Sequence, residues 1–266
     1  MATLVSFHAH PDDESIATGG TIARAAAEGH RVVLVFGTRG ELGEVPDGFL
    51  DVGELLGDRR EQETEASAEV LGAARVAWLG YRDSGMMGEP SNDDPDCFWQ
   101  ADVEEAAQRL AGILQEESAD VLTVYDDHGG YGHPDHIQVH RVGHLAAELA
   151  GTPWVYESTM NRDQLRQLME EARARGEVPD EGAPEVEEVG SDFGSPASII
   201  TTAVDVRQFL DRKRASMVAH ASQIAEESFF LAMPDDAFAA AFGTEWYIRV
   251  VGPPRNEADD WLLPPA

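Results

Sequence analysis

Short apolar segments rich in β-branched residues alternate along the chain with longer segments that repeat at helical spacing. The apolar segments predict strands over residues 3–8, 31–38, 75–79, 121–125 and 154–157. The periodic segments predict helices over residues 15–29, 54–71, 101–117 and 134–150. Continuous apolar strands that alternate with helices are typical of a mostly parallel sheet with helices on both faces. Because crossovers in such a sheet are right-handed, an α/β, Rossmann-like fold is expected.

The regular alternation weakens after residue 157. The remaining segments predict a helix over 162–175, an acidic solvated loop within 170–192, a strand over 199–206, a helix over 207–220 and a strand over 246–251. We interpret them as a C-terminal α+β extension that caps one edge of the sheet. The predicted organisation is a single domain over residues 1–266, with a Rossmann-like core over 1–157 and a cap with C-terminal additions over 158–266.

Acidic residues dominate the charge of the chain. The 266 residues include 50 Asp or Glu and 19 Lys or Arg, which gives a formal net charge of −31 at pH 7. Because phosphate groups would be repelled, neither nucleic acid nor an anionic membrane is an expected partner. Lys213 is the only lysine and Cys97 the only cysteine. A single cysteine excludes an internal disulfide and a four-cysteine zinc site, and it fits a reducing compartment.

Neither a membrane-spanning segment nor a secretion signal is expected from the sequence. No uninterrupted apolar run approaches the roughly 18–20 residues that a spanning helix needs. The N-terminal segment MATLVSFHAHPDDES has no basic residues before its apolar stretch, whereas a signal peptide would have them. We therefore predict a cytoplasmic protein.

Three loops that follow predicted strands are rich in residues suited to catalysis. They cover residues 8–14, 80–85 and 126–136, and they read HAHPDDE, GYRDSG and DDHGGYGHPDH. In open α/β sheets, ligands bind beyond the carboxyl ends of the strands. Because parallel strands bring these ends to one edge of the sheet, we expect the three loops to form one site.

The two histidine-containing loops have the composition of a metal site. His10 and Asp13 lie three residues apart at a strand-to-helix turn, and a second His-Pro-Asp core occupies residues 133–135. A catalytic zinc ion takes three protein ligands, commonly His nitrogen and carboxylate oxygen, and keeps one position open for water. The alternative is a set of surface histidines, with Asp12 or Asp13 capping the helix that follows. Two copies of the same core at two strand ends favour the metal site.

Other cofactors match the pattern less well. Two histidines and a carboxylate also bind iron in non-haem oxygenases. Those enzymes usually adopt a β-barrel-like fold, so zinc is the expected ion and iron is the alternative. The GxGxxG fingerprint of nicotinamide-binding proteins is missing after the first strand, where Gly19-Gly20 occurs instead.

The segment AHPDDE at residues 9–14, together with GHPDH at 132–136, resembles the motifs of the LmbE-like (PIG-L) zinc deacetylases. The resemblance extends over most of the chain, through RxxE at 60–63, WLGYRDSG at 78–85 and HASQ at 220–223. It implies an enzyme that removes the acetyl group from an N-acetylglucosamine conjugate. Within the family, the chain is most similar to actinobacterial members that act on mycothiol precursors and related glycosides.

Carried over position by position, the resemblance makes His10, Asp13 and His136 the ligands of one zinc ion. It makes Asp12 the general base, beside the ion but not bound to it. Chemistry supports both roles, since a divalent ion lowers the pKa of bound water toward ~7 and a nearby carboxylate accepts the proton of that water. Free aspartate has a pKa near ~3.9, so Asp12 would be ionised at neutral pH.

The resemblance also implies roles for five further residues. His133 would stabilise the oxyanion and protonate the leaving amine, Asp135 would orient His133, and Tyr131 would donate a hydrogen bond to the oxyanion. Arg60 and Asp83 match positions that hold the sugar. A cationic His133 paired with a carboxylate would keep its charge near the developing oxyanion.

Several residues near these motifs are interpreted as structural. His140 and His144 follow His136 at helical spacing. We interpret them as one polar face of the helix, with additional metal ligands as the alternative. Cys97 is interpreted as a packing residue, because the sequence places no base next to it.

The sequence therefore predicts a zinc-dependent hydrolase that removes an acetyl group from a small N-acetylglucosamine-type glycoside by metal-activated water. One alternative is a mycothiol S-conjugate amidase, and another is a non-catalytic metal- or sugar-binding relative. In the amidase branch a lysine is expected where this chain has Ala17, which favours the deacetylase. Asp12 and His133 favour an enzyme, since a binding site needs neither a base nor an acid. The sequence leaves the exact glycoside and the oligomeric state open.

Overall fold

The computed structural model describes residues 1–175, 193–252 and 260–263. The strands in this part of the chain are β1 (Thr3–His8), β2 (Arg31–Phe36), β3 (Arg75–Trp78), β4 (Val121–Tyr125), β5 (Trp154–Thr159), β6 (Thr202–Asp205) and β7 (Thr244–Val251). They form one sheet with the order β3-β2-β1-β4-β5-β7-β6. Strands β1 to β5 pair in parallel, and β7 pairs antiparallel with both β5 and β6. The mostly parallel α/β fold predicted from the sequence is confirmed.

The α-helices of the described residues are α1 (Asp13–Ala17), α2 (Gly19–Ala27), α3 (Leu56–Leu71), α4 (Val103–Glu116), α5 (Pro134–Ala150), α6 (Arg162–Ala174), α7 (Leu210–Ala219) and α8 (Asp235–Phe242). None of them combines the length and the apolarity that a helix needs to cross a bilayer. The single helix predicted over 15–29 is wrong, because Thr18 leaves helical geometry at φ −135° and separates α1 from α2. The sequence does not predict helix α8, since eight residues are too few to show a clear helical period. Most of the predicted acidic loop, residues 176–192, lies outside the described residues.

Helix α5 begins and ends where the sequence predicts. Pro134 occupies its first turn, and Gly151 ends it in the left-handed conformation at φ 70°. A proline without an N–H loses nothing at this position, and glycine adopts a positive φ at little cost. The accurate start matters for the site, because the residue that caps α5 is His133.

The sheet buries an apolar layer on each face. Alternate residues of β1 point to opposite sides, so Val5 and Phe7 join one cluster and Leu4 joins the other. The first cluster includes Leu110 of α4 and residues of α5, whereas the second includes Ile22 of α2 and residues of α3. Helices therefore cover both faces, as the continuous apolar strands predict.

The C-terminal segments lengthen the sheet. The sequence pattern favoured a cap over one edge, but β7 adds to the edge that β5 would otherwise present, and β6 adds to β7. Tyr247 of β7 and Val204 of β6 join the same apolar cluster as α2 and α3. The antiparallel strands thus protect the backbone hydrogen-bonding groups of β5.

The only lysine of the sequence is buried. Lys213 on α7 is 1% exposed, and its Nζ donates a hydrogen bond to Oε1 of Glu245 on β7. The same carboxylate accepts the backbone N–H groups of Gly20 and Thr21 at 2.8 and 2.7 Å. A carboxylate is favourable at the N-terminus of a helix, where the first N–H groups lack partners. This one side chain therefore links β7, α7 and the start of α2.

Packing between α5 and the sheet depends on a glycine. A Cβ atom at Gly143 would lie 2.3 Å from Cγ1 of Val124 on β4. We expect Gly143→Ala to lower the free energy of unfolding by about 1–3 kcal/mol, because the helix would have to move away from the sheet. Urea denaturation followed by circular dichroism measures the change.

Gly112 on α4 is the matched control for this substitution. It is a helical glycine, and a Cβ atom added to it would have no neighbouring atom within 4 Å. Gly112→Ala is expected to raise the free energy of unfolding by about 0.5–1 kcal/mol, since alanine restricts the unfolded chain. A Gly143→Ala protein as stable as the wild type would contradict close packing at this helix.

Candidate active site

The candidate site lies where the order of the strands changes direction. β1 is flanked by β2 on one side and by β4 on the other. The chain leaves the carboxyl ends of β1 and β4 toward opposite faces of the sheet, which opens a crevice between the two loops. The loop after β1 carries His10, and the loop after β4 leads to Asp135, 125 positions away in the sequence. The structure therefore brings these two loops together, as the sequence predicts.

Four side chains of the two motifs meet in this crevice. Oδ2 of Asp13 lies 3.6 Å from Nδ1 of His10 and 3.3 Å from Nε2 of His136. Nitrogen atoms of His10, His133 and His136 all lie within 4.8 Å of one another. The crevice thus offers three imidazoles and a carboxylate at distances that suit one metal ion.

The second nitrogen of His10 faces two carboxylates. Its Nε2 lies 3.1 Å from Oδ2 of Asp135 and 3.6 Å from Oδ1 of Asp83. Burial opposes a charge on His10, but the carboxylates of Asp83, Asp13 and Asp135 outweigh it and raise the pKa of the imidazole. A carboxylate that holds the outer nitrogen of a histidine is a common feature of metal sites, because it fixes the ring and strengthens the ligand.

Asp135 does not hold His133 in the way that the resemblance implied. Its carboxylate accepts hydrogen bonds from the backbone N–H and the hydroxyl of Ser84 and faces His10. The backbone N–H of Asp135, rather than its carboxylate, contacts His133 and donates to Nδ1 at 3.1 Å. Ser84 was not singled out from the sequence, although it lies in the strand-end loop over 80–85.

His133 packs against the other two histidines of the site. Its ring centroid lies 4.6 Å from that of His10 and 5.3 Å from that of His136. Burial, together with the electrostatic influence of the neighbouring His10 and His136, lowers the pKa of His133 to about 3. Because Nδ1 accepts the N–H of Asp135, the proton of the neutral ring is on Nε2. This lowered pKa favours the neutral form of His133, whereas the resemblance implied a cation.

Asp12 has an unusual backbone conformation. Its φ of 97° lies in a region that residues with a Cβ rarely adopt, and such strain is common at functional sites. The backbone N–H of Asp12 donates to Oε2 of Glu14 at 2.9 Å, and its carboxylate lies 3.3 Å from Nη2 of Arg60. Burial raises the pKa of Asp12 to about 6, and the charge of Arg60 only partly offsets it.

Arg60 is buried behind Asp12. It is 3% exposed, and its guanidinium donates to the carbonyl oxygens of Gly40, at 2.8 Å, and Pro11. Its Nε is buried without a hydrogen-bond partner among the described residues. These contacts hold the first motif loop in place. Arg60 therefore contacts Asp12 directly and is largely shielded from solvent.

Asp83 and Tyr131 contact different histidines of the site, His10 and His136. Asp83 is buried and accepts the backbone N–H groups of Gly85 at 2.8 Å and Leu42 at 3.1 Å. Burial opposes ionisation, yet His10 and these donors keep the pKa of Asp83 below its usual range. Tyr131 is 44% exposed, and its hydroxyl lies 3.4 Å from Nε2 of His136. The tyrosine is therefore the residue of this set that solvent reaches most easily.

Glu14 and His220 form a buried pair next to the first motif. Neither residue was assigned a role from the sequence. Glu14 and His220 are both inaccessible to solvent, and Nε2 of His220 lies 2.6 Å from Oε1 of Glu14. Burial opposes the charge on Glu14, but His220 and a hydrogen bond from Ser67 lower its pKa to about 2. Both residues belong to motif segments, AHPDDE and HASQ, yet no spacing rule pairs residues that lie 206 positions apart.

His140 and His144 face a different partner. Both lie on α5 and contact Glu157 of β5, at 3.3 and 2.8 Å. Cys97 is a buried free thiol, as the packing interpretation predicts.

Solved structures of other proteins share this fold. The N,N'-diacetylchitobiose deacetylase from Pyrococcus horikoshii aligns with a TM-score of 0.57 and 23% identity, over 94% of this chain and 84% of that chain. The 4-carboxy-2-hydroxymuconate hydratase from Pseudomonas putida aligns with a TM-score of 0.58 and 20% identity, over 97% of this chain and 99% of that chain. Since the two neighbours differ in reaction, these likenesses support the fold alone.

Comparison of sequences is more specific. The 1D-myo-inositol 2-acetamido-2-deoxy-alpha-D-glucopyranoside deacetylase of Acidothermus cellulolyticus is 44% identical over 264 residues, which cover 95% of this chain and 90% of that protein. The family described as PIG-L, GlcNAc-PI de-N-acetylase, matches residues 5–147, which contain both histidine motifs. This chain belongs to the PIG-L family of deacetylases.

Proposed function

We propose that the protein hydrolyses the acetamide of an N-acetylglucosamine-type glycoside, with an inositol glycoside as the first candidate substrate. The observation that carries the proposal is the packing of His10, Asp13 and His136 around one point, with Asp12 beside them. The deacetylase of Acidothermus cellulolyticus, 44% identical to this chain, supports the substrate class.

His10, Asp13 and His136 would hold a divalent metal ion. Two imidazole nitrogens and one carboxylate oxygen form the donor set of many catalytic zinc sites, and iron accepts the same set. The carboxylate of Asp135 on the outer nitrogen of His10 also fits a ligand role. When bound, such an ion polarises the acetyl carbonyl and lowers the pKa of a water molecule toward ~7.

Asp12 is proposed as the general base. Its carboxylate would take a proton from a water molecule, and the resulting hydroxide-like oxygen would attack the acetyl carbon. A pKa of about 6 makes Asp12 ionised at neutral pH and a better proton acceptor than a free aspartate. The contacts with Glu14 and Arg60 fix both the backbone and the carboxylate of this residue.

His133 is proposed to stabilise the oxyanion as a neutral donor. Its Nε2–H would donate a hydrogen bond to the acetyl oxygen as negative charge develops there. Because Nδ1 accepts the backbone N–H of Asp135, a proton lost from Nε2 could not be replaced on the other nitrogen. Protonated Asp12 would therefore deliver the proton to the leaving amine, and this revises the role that the resemblance gave His133.

Of the two residues predicted to hold the sugar, Asp83 keeps that role and Arg60 is given another. Asp83 accepts two backbone N–H groups, which leaves carboxylate lone pairs free to accept a sugar hydroxyl. Arg60 is proposed to position Asp12, because its contacts are with the first motif loop and Asp12. Tyr131, exposed above His136, would donate to a substrate oxygen.

Other expectations from the sequence stay predictions. The domain organisation over residues 1–266, the cytoplasmic location and the lack of a nucleic-acid or membrane partner rest on the sequence alone. An S-conjugate amidase is the second candidate function. Ala17, at the end of α1, is the residue that disfavours it.

The first prediction concerns the ion. After exhaustive dialysis against metal-free buffer, the wild type should retain about one divalent ion per chain more than Asp13→Ala or His136→Ala does. Removing one of three ligands leaves two, which hold an ion poorly. Elemental analysis by mass spectrometry measures the content. Asp127→Ala, in the exposed part of the second loop, is the control that should keep the ion. Full occupancy in both ligand variants would contradict the assignment.

A second prediction separates the base from the ligands. Asp12→Asn should keep the ion, because it preserves the shape of the side chain, but kcat should fall roughly 10²–10⁴-fold since an amide accepts no proton. Acetate release and metal content are measured on the same sample. A kcat within a few-fold of the wild type would remove Asp12 from the mechanism.

A third prediction concerns the bond that is cleaved. Acetyl removal from an N-acetylglucosaminyl inositol should exceed cleavage of a mycothiol S-conjugate by at least ~10-fold in kcat/KM, equivalent to ~1.4 kcal/mol. The methyl group of Ala17 cannot reach the thiol-bearing arm of the conjugate as a lysine would. A competition assay with both substrates decides the matter, and faster cleavage of the S-conjugate would favour the amidase.

A further inference from the structure

A second group of potential metal ligands lies on α5, beyond the first. His140 and His144 are one helical turn apart, and their ring centroids are 4.4 Å from each other. Glu157 of β5 faces them, with Oε1 at 3.3 Å from Nδ1 of His140 and at 2.8 Å from Nε2 of His144. One ligand atom from each of the three residues lies within 4.8 Å of the other two.

The chemistry of this group suits a transition-metal ion. Two histidines at positions i and i+4 of a helix present their rings on one face, and a carboxylate from a neighbouring strand completes three ligands. Ligand atoms about 2.0–2.1 Å from a tetrahedral zinc ion lie about 3.3 Å apart. Nδ1 of His140 lies at this distance from Oε1 of Glu157, and Nε2 of His144 needs to move by only a few tenths of an ångström. An ion bound through Nδ1 of His140 would replace the proton that this nitrogen now donates to the carbonyl oxygen of Tyr125.

Solvent can reach this group, whereas the carboxylate is well shielded. The side chains of His140 and His144 are 22% and 32% exposed, and that of Glu157 is 10% exposed. An ion could therefore enter from the histidine side and satisfy a carboxylate that water reaches poorly. If the ligands were fully buried, an ion could reach them only after the helix moved. If they were fully exposed, the protein would not hold them in place for an ion.

We propose that His140, His144 and Glu157 form a second site for a divalent transition-metal ion, which ties α5 to β5. The donor set is that of zinc, nickel, copper or cobalt, and it differs from the all-oxygen set that magnesium and calcium prefer. The sequence favoured a polar helix face over additional metal ligands, because the third ligand comes from another element.

The second site would lie directly behind the first. The ring of Tyr125 stacks on His136 with centroids 4.5 Å apart, while its carbonyl oxygen lies 3.1 Å from Nδ1 of His140. A bound ion would take over from the hydrogen bond between His140 and Tyr125 and would hold the turn of α5 that follows His136 through Glu157 instead. The two sites share no ligand, so loss of one ion should leave the other in place.

Zinc binding to the metal-stripped, full-length protein tests the proposal. Isothermal titration with zinc chloride should give two binding events per chain. His144→Ala and Glu157→Gln should each weaken one event by more than ~10-fold, since loss of a ligand costs more than loss of an outer contact. Asp13→Ala should remove the other event and keep this one. Magnesium chloride in excess should not compete for either event.

Controls separate this proposal from the proposed function and from loss of structure. His30→Ala removes a histidine that lies near Glu28 and should keep both events. Glu157→Gln retains the shape of the side chain, and circular dichroism checks that each variant is folded. A single event in the wild type, abolished by Asp13→Ala and unchanged in His144→Ala, would overturn the second site and leave the first intact. Two events that persist in folded His144→Ala and Glu157→Gln would overturn it as well.

Discussion

The parallel pairing of β1 with β4 is the constraint on which the site depends. Leu4, Val5 and Ser6 lie opposite Val121, Leu122 and Thr123, so the two strands end side by side. β2 occupies the other edge of β1, and the loops that leave β1 and β4 diverge from this point. A change of one residue in the register would separate the ligand loops and also turn every apolar side chain of β1 to the wrong face. Core packing and catalytic geometry are therefore fixed by the same strand pair.

Burying carboxylates at this edge requires partners from the rest of the chain. Unpaired buried charges are very unfavourable, so each one must meet hydrogen-bond donors or an opposite charge. Asp135 accepts from Ser84, Glu14 pairs with His220, and Glu245 pairs with Lys213 and the start of α2. The C-terminal half of the chain thus supplies His220, the buried partner of Glu14 in the first motif.

The fold and the reaction are specified by different parts of the molecule. A deacetylase and a hydratase both align with this chain over most of their length, which shows that the sheet accommodates different chemistry. The side chains at the carboxyl ends of the strands determine which reaction is catalysed. In this protein, the proposed difference between a site that only binds an ion and one that hydrolyses an amide is Asp12, which has a φ of 97° and donates its backbone N–H to Glu14.

The sequence by itself determined the alternation of strands and helices, the convergence of the three loops and the residues that could bind a metal ion. These features depend on local periodicity and on the rule that parallel strands share one carboxyl edge. Only the tertiary structure decided that Asp135 faces His10, that Arg60 is buried against Asp12, and that Glu157 joins His140 and His144. Such contacts join side chains from separate elements, and their partners depend on register, helix rotation and rotamer, which no spacing along one segment encodes.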